Sequence, residues 1–357
     1  MSTAQVDLQQ LLDAGAGRSV SVPAGRYPIT RPLAVRSGTT VVLEDGAVIA
    51  VEADCHAFVN ADPRRGDADI TISGGEIDGG KADRTPASNC RGIYLVRVDR
   101  PRVLGTFVHD TKDHGIHLTE CAGWVIEACR VERPGDPGAT GGSCLAVSLL
   151  TGRAAGGRIA GNTLRDAYRA GLKVGCQIEG VHDAGLTVTG NACEGNGAPG
   201  IGSGMVFQGK SGRARHTLAG VTITGNTCWA NNPTGIRLTG CEGFTVTGNT
   251  CSRNAGDGIL LQGGSRDNQV SGNVCDDNSA GSPGARDGIR LGDRGEAVVG
   301  NLVTGNRCSG AWQRFGIAEQ RPADRNQVIG NTLTGNATGG TWQSGRASIF
   351  RDNDGGS

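Results

Sequence analysis

Along most of the chain, apolar and polar residues alternate in runs of three to five, as at Val221/Ile223, Ile236/Leu238 and Phe244/Val246. A period of two marks strands, and Gly or Asn ends each one. No ten-residue helical pattern falls between them, which excludes alternating strand–helix units. The runs also recur. Gly-Asn pairs begin at Gly161, Gly190, Gly225, Gly248, Gly272, Gly305 and Gly330. A second string, Gly-(Ile/Leu/Met)-x-(Leu/Val/Phe), begins at Gly92, Gly115, Gly171, Gly204, Gly235, Gly258 and Gly288, with a weaker copy at Gly316. The shortest steps are 23 residues; steps of 28 to 33 carry insertions such as those at 209–216 and 279–286. Two distant copies, GIHLTECAGWVIEAC at 115–129 and GIRLTGCEGFTVTGN at 235–249, align almost letter for letter. Short strands repeated at this period can bury their apolar faces only on their own next copies. The predicted fold is all-β, a parallel β-helix solenoid.

The repeat assigns roles to its small residues. Asn at each Gly-Asn corner is expected to take the left-handed turn conformation and to hydrogen-bond the coils above and below. Cys193, Cys228, Cys251, Cys275 and Cys308 follow at fixed offset and are expected to form an inward column of thiols. Near the start, Val6 to Ala14 reads as a short amphipathic helix with Val6, Leu8, Leu11 and Leu12 on one side, covering the open edge of the first coil. The expected organisation is one β-helix domain over 1–350, with the capping helix inside 1–16, coils from 17 to 350 and a disordered tail at 351–357.

Composition narrows the function classes. With 35 basic and 35 acidic residues, the chain lacks the charge of a nucleic-acid binder and offers nothing to an anionic lipid surface. Gly is abundant at 61 residues, while aromatics make up 4%. The first residues show no basic segment followed by an apolar one, and no apolar run spans a bilayer, so a cytoplasmic location with free thiols is expected for the 12 Cys.

The opening coils carry V-P-A-G-x-Y at 22–27, G-T-x-V-x-L-E-D-G-A at 38–47 and I-S-G-G-x-I-D-G at 72–79. In these runs the chain resembles the pectin-lyase-like superfamily, of the pectate lyase, polygalacturonase and uronan epimerase type. The resemblance implies a single-stranded, right-handed β-helix over essentially the whole chain. It leaves the reaction open, because this fold hosts lyases, hydrolases, epimerases, transferases and tailspikes. It also makes calcium a cofactor to consider, with Asp110, Asp113 and Glu120 as its nearest acidic cluster. The polygalacturonase motif set is not present in order, since Asp276-Asp277 lies in the wrong strand.

Within each Gly-Ile-x-Leu strand, Ile and Leu point inward and x is expected to point outward. Coil by coil, x reads Tyr94, His117, Ala146, Lys173, Val206, Arg237, Leu260, Arg290 and Ala318. His109, Asp110, Lys112, Asp113 and His114 crowd the approach to the His117 strand. The candidate catalytic residues are therefore His117, Lys173, Tyr94 and Asp113. Candidate substrate-binding residues are Arg237, His114, Lys112, His109, Tyr168 and Arg169, with the insertions at 130–143 and 209–216 as walls. Asp257 and Asp287, each just before a strand Gly, read as turn residues. Three histidines at 109, 114 and 117 suggest a metal, but strand alternation separates their directions, so no metal ligand is assigned.

These residue types suit removal of a proton α to a carboxylate: a His or Tyr for the proton, cations for the enolate-like charge. The expected partner is an acidic saccharide or a carboxylated metabolite, acted on by a lyase or an epimerase/isomerase, in a monomer or homo-oligomer. One alternative is a glycoside hydrolase or intramolecular glycosyltransferase, which needs two carboxylates facing one groove. The other is a non-catalytic or tailspike-type glycan-binding β-helix, for which the row offers only Tyr94 as an aromatic platform.

Overall fold

The computed structural model describes residues 7–83, 85, 89–138, 141–152, 156–198, 202–209, 216–293 and 295–355. The chain folds as an all-β parallel β-helix and divides into two compact units, Met1–Thr163 and Leu164–Ser357. No helix among the described residues is long and apolar enough to cross a membrane.

Each coil sends one Gly-Ile-x-Leu strand into a parallel, in-register sheet. In the first unit these strands are Leu33–Val35, Phe58–Asn60, Ile93–Val96, Ile116–Thr119 and Leu145–Leu149. In the second they are Ala170–Cys176, Ser203–Gly209, Thr234–Thr239, Ile259–Gln262, Ile289–Leu291, Phe315–Glu319 and Gly339–Trp342. The rest of a coil is two short strands meeting at a corner, as in Thr245–Thr247 and Thr250–Ser252. Period-two patterning fills the interior: Ile236, Leu238, Val246 and Cys251 of one coil are all fully buried. Each such apolar side chain contributes about 1.5–3 kcal/mol before entropy is counted. Cys193, Cys228, Cys251, Cys275 and Cys308 pair rung to rung as one buried column of free thiols, as expected.

The corners divide their labour differently from the sequence expectation. Glycine, not asparagine, takes the left-handed turn: Gly190, Gly225, Gly248, Gly272, Gly305 and Gly330 have φ between 62° and 65°. The following Asn is thereby freed to point inward, where it is buried. Asn191, Asn226, Asn249, Asn273, Asn306, Asn331 and Asn353 form one ladder; Asn249 Nδ2, for example, donates to Asn273 Oδ1 at 2.9 Å. A second ladder runs from Asn196 through Asn231, Asn254 and Asn278 to Gln313, and a third through Asn268, Asn301 and Asn326. Buried amides of this kind are tolerated because every donor and acceptor finds a partner.

The ends are closed by side chains as well. The helix spans Leu8–Ala14, capped by the Asp7 carboxylate on the Gln10 amide, with Leu8 and Leu12 buried. Val6 lies outside the described residues. Gln9 behaves as a missing strand, because its Nε2 donates to Ala34 O and its Oε1 accepts from Ala34 N. The C-terminal segment is not a tail from 351 onward. Ile349–Arg351 is a strand, and Asn353 Oδ1 accepts from Asn331 Nδ2 at 2.8 Å, which makes this segment the last rung.

Replacing Asn249 with Ala strands the buried Asn226 amide and breaks the ladder on both sides. A cost of about 2–5 kcal/mol is expected in urea unfolding. Thr245→Ala, on the outer side of the same coil, should stay within about 0.5 kcal/mol.

Candidate active site

Strand register alone assembles a ladder of rings in the first unit. Val59 pairs with Tyr94, Tyr94 with His117 and His117 with Ala146, so the side chains at these positions share one face. The Tyr94 and His117 rings lie 5.2 Å apart, centroid to centroid. His56 extends the ladder at 5.1 Å from Tyr94, and His114 meets the edge of His117 at 4.8 Å. The Arg91 guanidinium sits 4.2 Å over the Tyr94 ring, within cation–π range. His56 also lines a cleft of about 500 Å3 with Asp54, Asn89 and Cys90.

Hydrogen bonds fix the protons on two of the imidazoles. His114 Nδ1 accepts the Ser143 amide at 3.0 Å, and His56 Nδ1 accepts the Arg91 amide at 3.2 Å, so each neutral ring carries its proton on Nε2. Burial, reinforced by the Arg91 charge and opposed by Asp113, pushes His56 down to about 4. His117 Nε2 shares a hydrogen bond with Ser148 Oγ at 2.9 Å and lies 3.3 Å from Thr119 Oγ1. Asp113 binds Arg91 Nε at 2.8 Å through Oδ2. Its other oxygen is buried and has no hydrogen-bond partner among the described residues, with His114 Nε2 at 3.8 Å.

The structure brings Tyr94, His117, Asp113 and His114 together, but not as a solvated outer face. His117 is 8% exposed and Asp113 fully buried. The insertion at 130–143 is one reason: a Cβ on Gly141 would stand 1.8 Å from Asp113 Oδ1 and 2.6 Å from His114 Nε2, so only glycine lets the segment press this close. Residues 210–215, most of the other expected wall, lie outside the described residues. Lys112 is turned into an ion pair with Asp136. His109 is held between Asp110 and Glu76, and Arg133 with His109 holds the Asp110 carboxyl down at about 2. Lys173, Tyr168, Arg169 and Arg237 belong to the second unit, with Lys173 on Ala170–Cys176 and Arg237 on Thr234–Thr239.

Asp257 and Asp287 bond backbone, as turn residues do, but on the next coil: Asp257 Oδ1 accepts the Asp287 amide at 2.9 Å, and Asp287 accepts Phe315 N. Four residues of the first-unit cluster escape the sequence reading: His56, Arg91, Thr119 and Ser148. For Arg91 a signal exists, because it precedes Gly92 as His114 precedes Gly115.

The sequence profile of the family described as "Periplasmic copper-binding protein (NosD)" matches residues 152–354, more than half of the chain. No curated protein matches the sequence. Several solved structures share the fold. The A-module of mannuronan C-5 epimerase AlgE6 from Azotobacter vinelandii superposes with a TM-score of 0.78 at 16% identity, over 99% of this chain and 95% of that one. The family 28 exopolygalacturonase of Yersinia enterocolitica gives 0.67 at 12% identity, over 98% and 75%. A GH87 α-1,3-glucanase from Streptomyces thermodiastaticus gives 0.74 at 16%, over 99% and 66%. These are carbohydrate-processing proteins with two different chemistries, epimerisation and glycoside hydrolysis, and at such identities the likeness is one of fold. Among the described residues no three His, Cys, Asp or Glu side chains converge as a metal site, and the buried thiol column offers no open position. The fold, the repeat and the matched profile together place the chain in the NosD family of right-handed parallel β-helix proteins.

Proposed function

We propose that the protein is a carbohydrate-active enzyme whose first unit removes the proton α to the carboxylate of an acidic saccharide, as a lyase or an epimerase. The observation that carries this reading is the Tyr94–His117 ring pair at 5.2 Å with Arg91 over Tyr94 at 4.2 Å. Abstraction and return of a carbon-bound proton need an acid and a base a few ångströms apart, and a cation where enolate charge develops. Tyr94 and His117 fill the first role. Arg91 engages Asp113 through Nε, so its Nη groups are the donors offered to the substrate carboxylate, for which a planar guanidinium is well matched. Ser148 and Thr119 set the orientation of His117, as positioning residues. His56, neutral at physiological pH, forms the rim without adding charge.

Hydrolysis by two carboxylates has less support. Asp113 is buried against Arg91, and Asp110 is paired with Arg133, so neither is offered to a substrate as an acid or nucleophile.

Incubation with uronate-containing glycans, followed at 235 nm for an unsaturated product and by proton NMR for inverted C5, tests the reading. His117→Gln and Tyr94→Phe are each expected to lower the rate by about 10²–10⁴. New reducing ends without unsaturation or inversion would overturn the proposal in favour of hydrolysis.

A pH test addresses the same cluster. The unfolded chain protonates His56 near 6.5, while the folded site resists until about 4. Its contribution to stability is thus present above pH 6.5 and is lost as pH falls from 6.5 towards 4. His56→Asn, which keeps an acceptor for the Arg91 amide, should flatten the unfolding midpoint across that window relative to the parent protein.

A further inference from the structure

The outer row of the second unit holds a cation that pairs with no carboxylate among the described residues. Lys173, Val206, Arg237, Leu260, Arg290, Ala318 and Trp342 pair rung to rung, so they share one face of the sheet. Arg290 on this row has its counter-charges: Asp257 and Asp293 lie 3.6 and 3.2 Å from its Nη atoms, and Gln320 accepts a further bond, although its Nε too is buried without a hydrogen-bond partner among the described residues. Arg237 has none of this. Among the described residues no carboxylate pairs with it, and its Nε is buried without a hydrogen-bond partner. None of the residues outside the described set is Asp or Glu. Burial alone acts on its charge and lowers its pKa from the ordinary value. A half-buried guanidinium without a carboxylate partner has Nη donors left for an anion supplied from outside.

Four rungs further on, at ~4.8 Å per rung and hence ~19 Å away, the row ends in an aromatic shelf. Trp342 is 52% exposed. Its inner face stacks on Phe315 at 5.8 Å and 28°, and Phe315 in turn lies 5.2 Å from the Arg314 guanidinium. Arg314 is gripped by both oxygens of the fully buried Asp287, at 3.0 and 2.8 Å. The shelf is therefore braced from behind by a buried ion pair, and only its outer face is left open. An exposed, immobilised indole presents a flat apolar surface the size of a sugar ring.

We propose that this row is a second binding track for an acidic oligosaccharide, in which Arg237 clasps a carboxylate and the outer face of Trp342 stacks against a sugar ring. An acidic peptide is the less suited occupant. Every strand of the row except the last, Gly339–Trp342, pairs with neighbours on both sides, so around Arg237 there are no backbone donors for an added strand. Neither the shelf nor the Arg237 anchor depends on the chemistry at His117, so the two readings fail separately.

The test is calorimetric titration of the full chain, in a His117→Gln background to prevent turnover, with an oligogalacturonate, a neutral maltooligosaccharide of equal length and an oligoglutamate peptide. Arg237→Gln and Trp342→Ala are each expected to weaken oligogalacturonate binding by about 10-fold or more, while Trp342→Phe retains most of it. Arg237→Gln should also unfold no earlier than its parent, because it removes a half-buried cation that pairs with no carboxylate among the described residues; this separates lost binding from lost folding. The proposal is overturned if both variants bind oligogalacturonate as the parent does. It is overturned equally if the neutral sugar or the peptide binds as tightly. Should His117 prove to have no role in turnover, the same titration still decides the matter.

Discussion

Everything in this protein rests on the in-register stacking of one coil on the next. A parallel pair satisfies backbone donors and acceptors along a strand but says nothing about register at the corners, where the chain must turn sharply and keep the same phase. The inward asparagine ladders supply that phase. Each amide donates to the next rung's oxygen and to a backbone carbonyl, as Asn249 does to Asn273 and Ile223, so a slip by one residue would strand buried polar groups along the whole ladder. A left-handed residue just before the inward Asn makes this possible. In the first ladder it is glycine, from Gly190 to Gly330, which avoids the cost of a Cβ; in the others it includes residues such as Ala230, Arg253, Asp267 and Asp277.

In the proposed reading, register then does the work of an active-site scaffold. Because residue x of one coil sits directly over residue x of the next, a tyrosine and a histidine separated by 23 residues of chain become ring neighbours at 5.2 Å. Rungs hold that spacing stiffly, so the chemistry needs only the right side chains at successive positions and a wall to limit water. In the first unit the wall is the insertion around Gly141, whose bare backbone allows close approach to Asp113 and His114.

The treatment of charge separates groups used within the fold from those the proposals assign to a ligand. Lys112, His109, Asp110, Asp287 and Arg290 are each matched with an opposite charge or a full set of hydrogen bonds, and so stiffen corners and loops. Arg91 is matched through one nitrogen only, and Arg237 through none among the described residues. Both lie on the faces along which we propose that an anionic saccharide runs.

The sequence by itself determined the architecture. Period-two patterning, the 23-residue step and the Gly-Asn string leave a strand no partner except its own repeat, and they also placed the thiol column and the row of x positions. It misassigned the corner, because a Gly-Asn string does not say which residue turns and which points inward; that depends on the neighbouring rung offering an acceptor. It likewise read Asp113, His114, Lys112 and His117 as one exposed patch. Only the tertiary structure decided that Lys112 is consumed by Asp136, that Asp113 is sealed against Arg91, and that His56 and Ser148, 31 or more residues away along the chain, complete the surroundings of Tyr94 and His117. Alternation tells which way a side chain leaves its own strand. What it meets there is set by loops and by coils elsewhere in the chain, and no local pattern encodes those contacts.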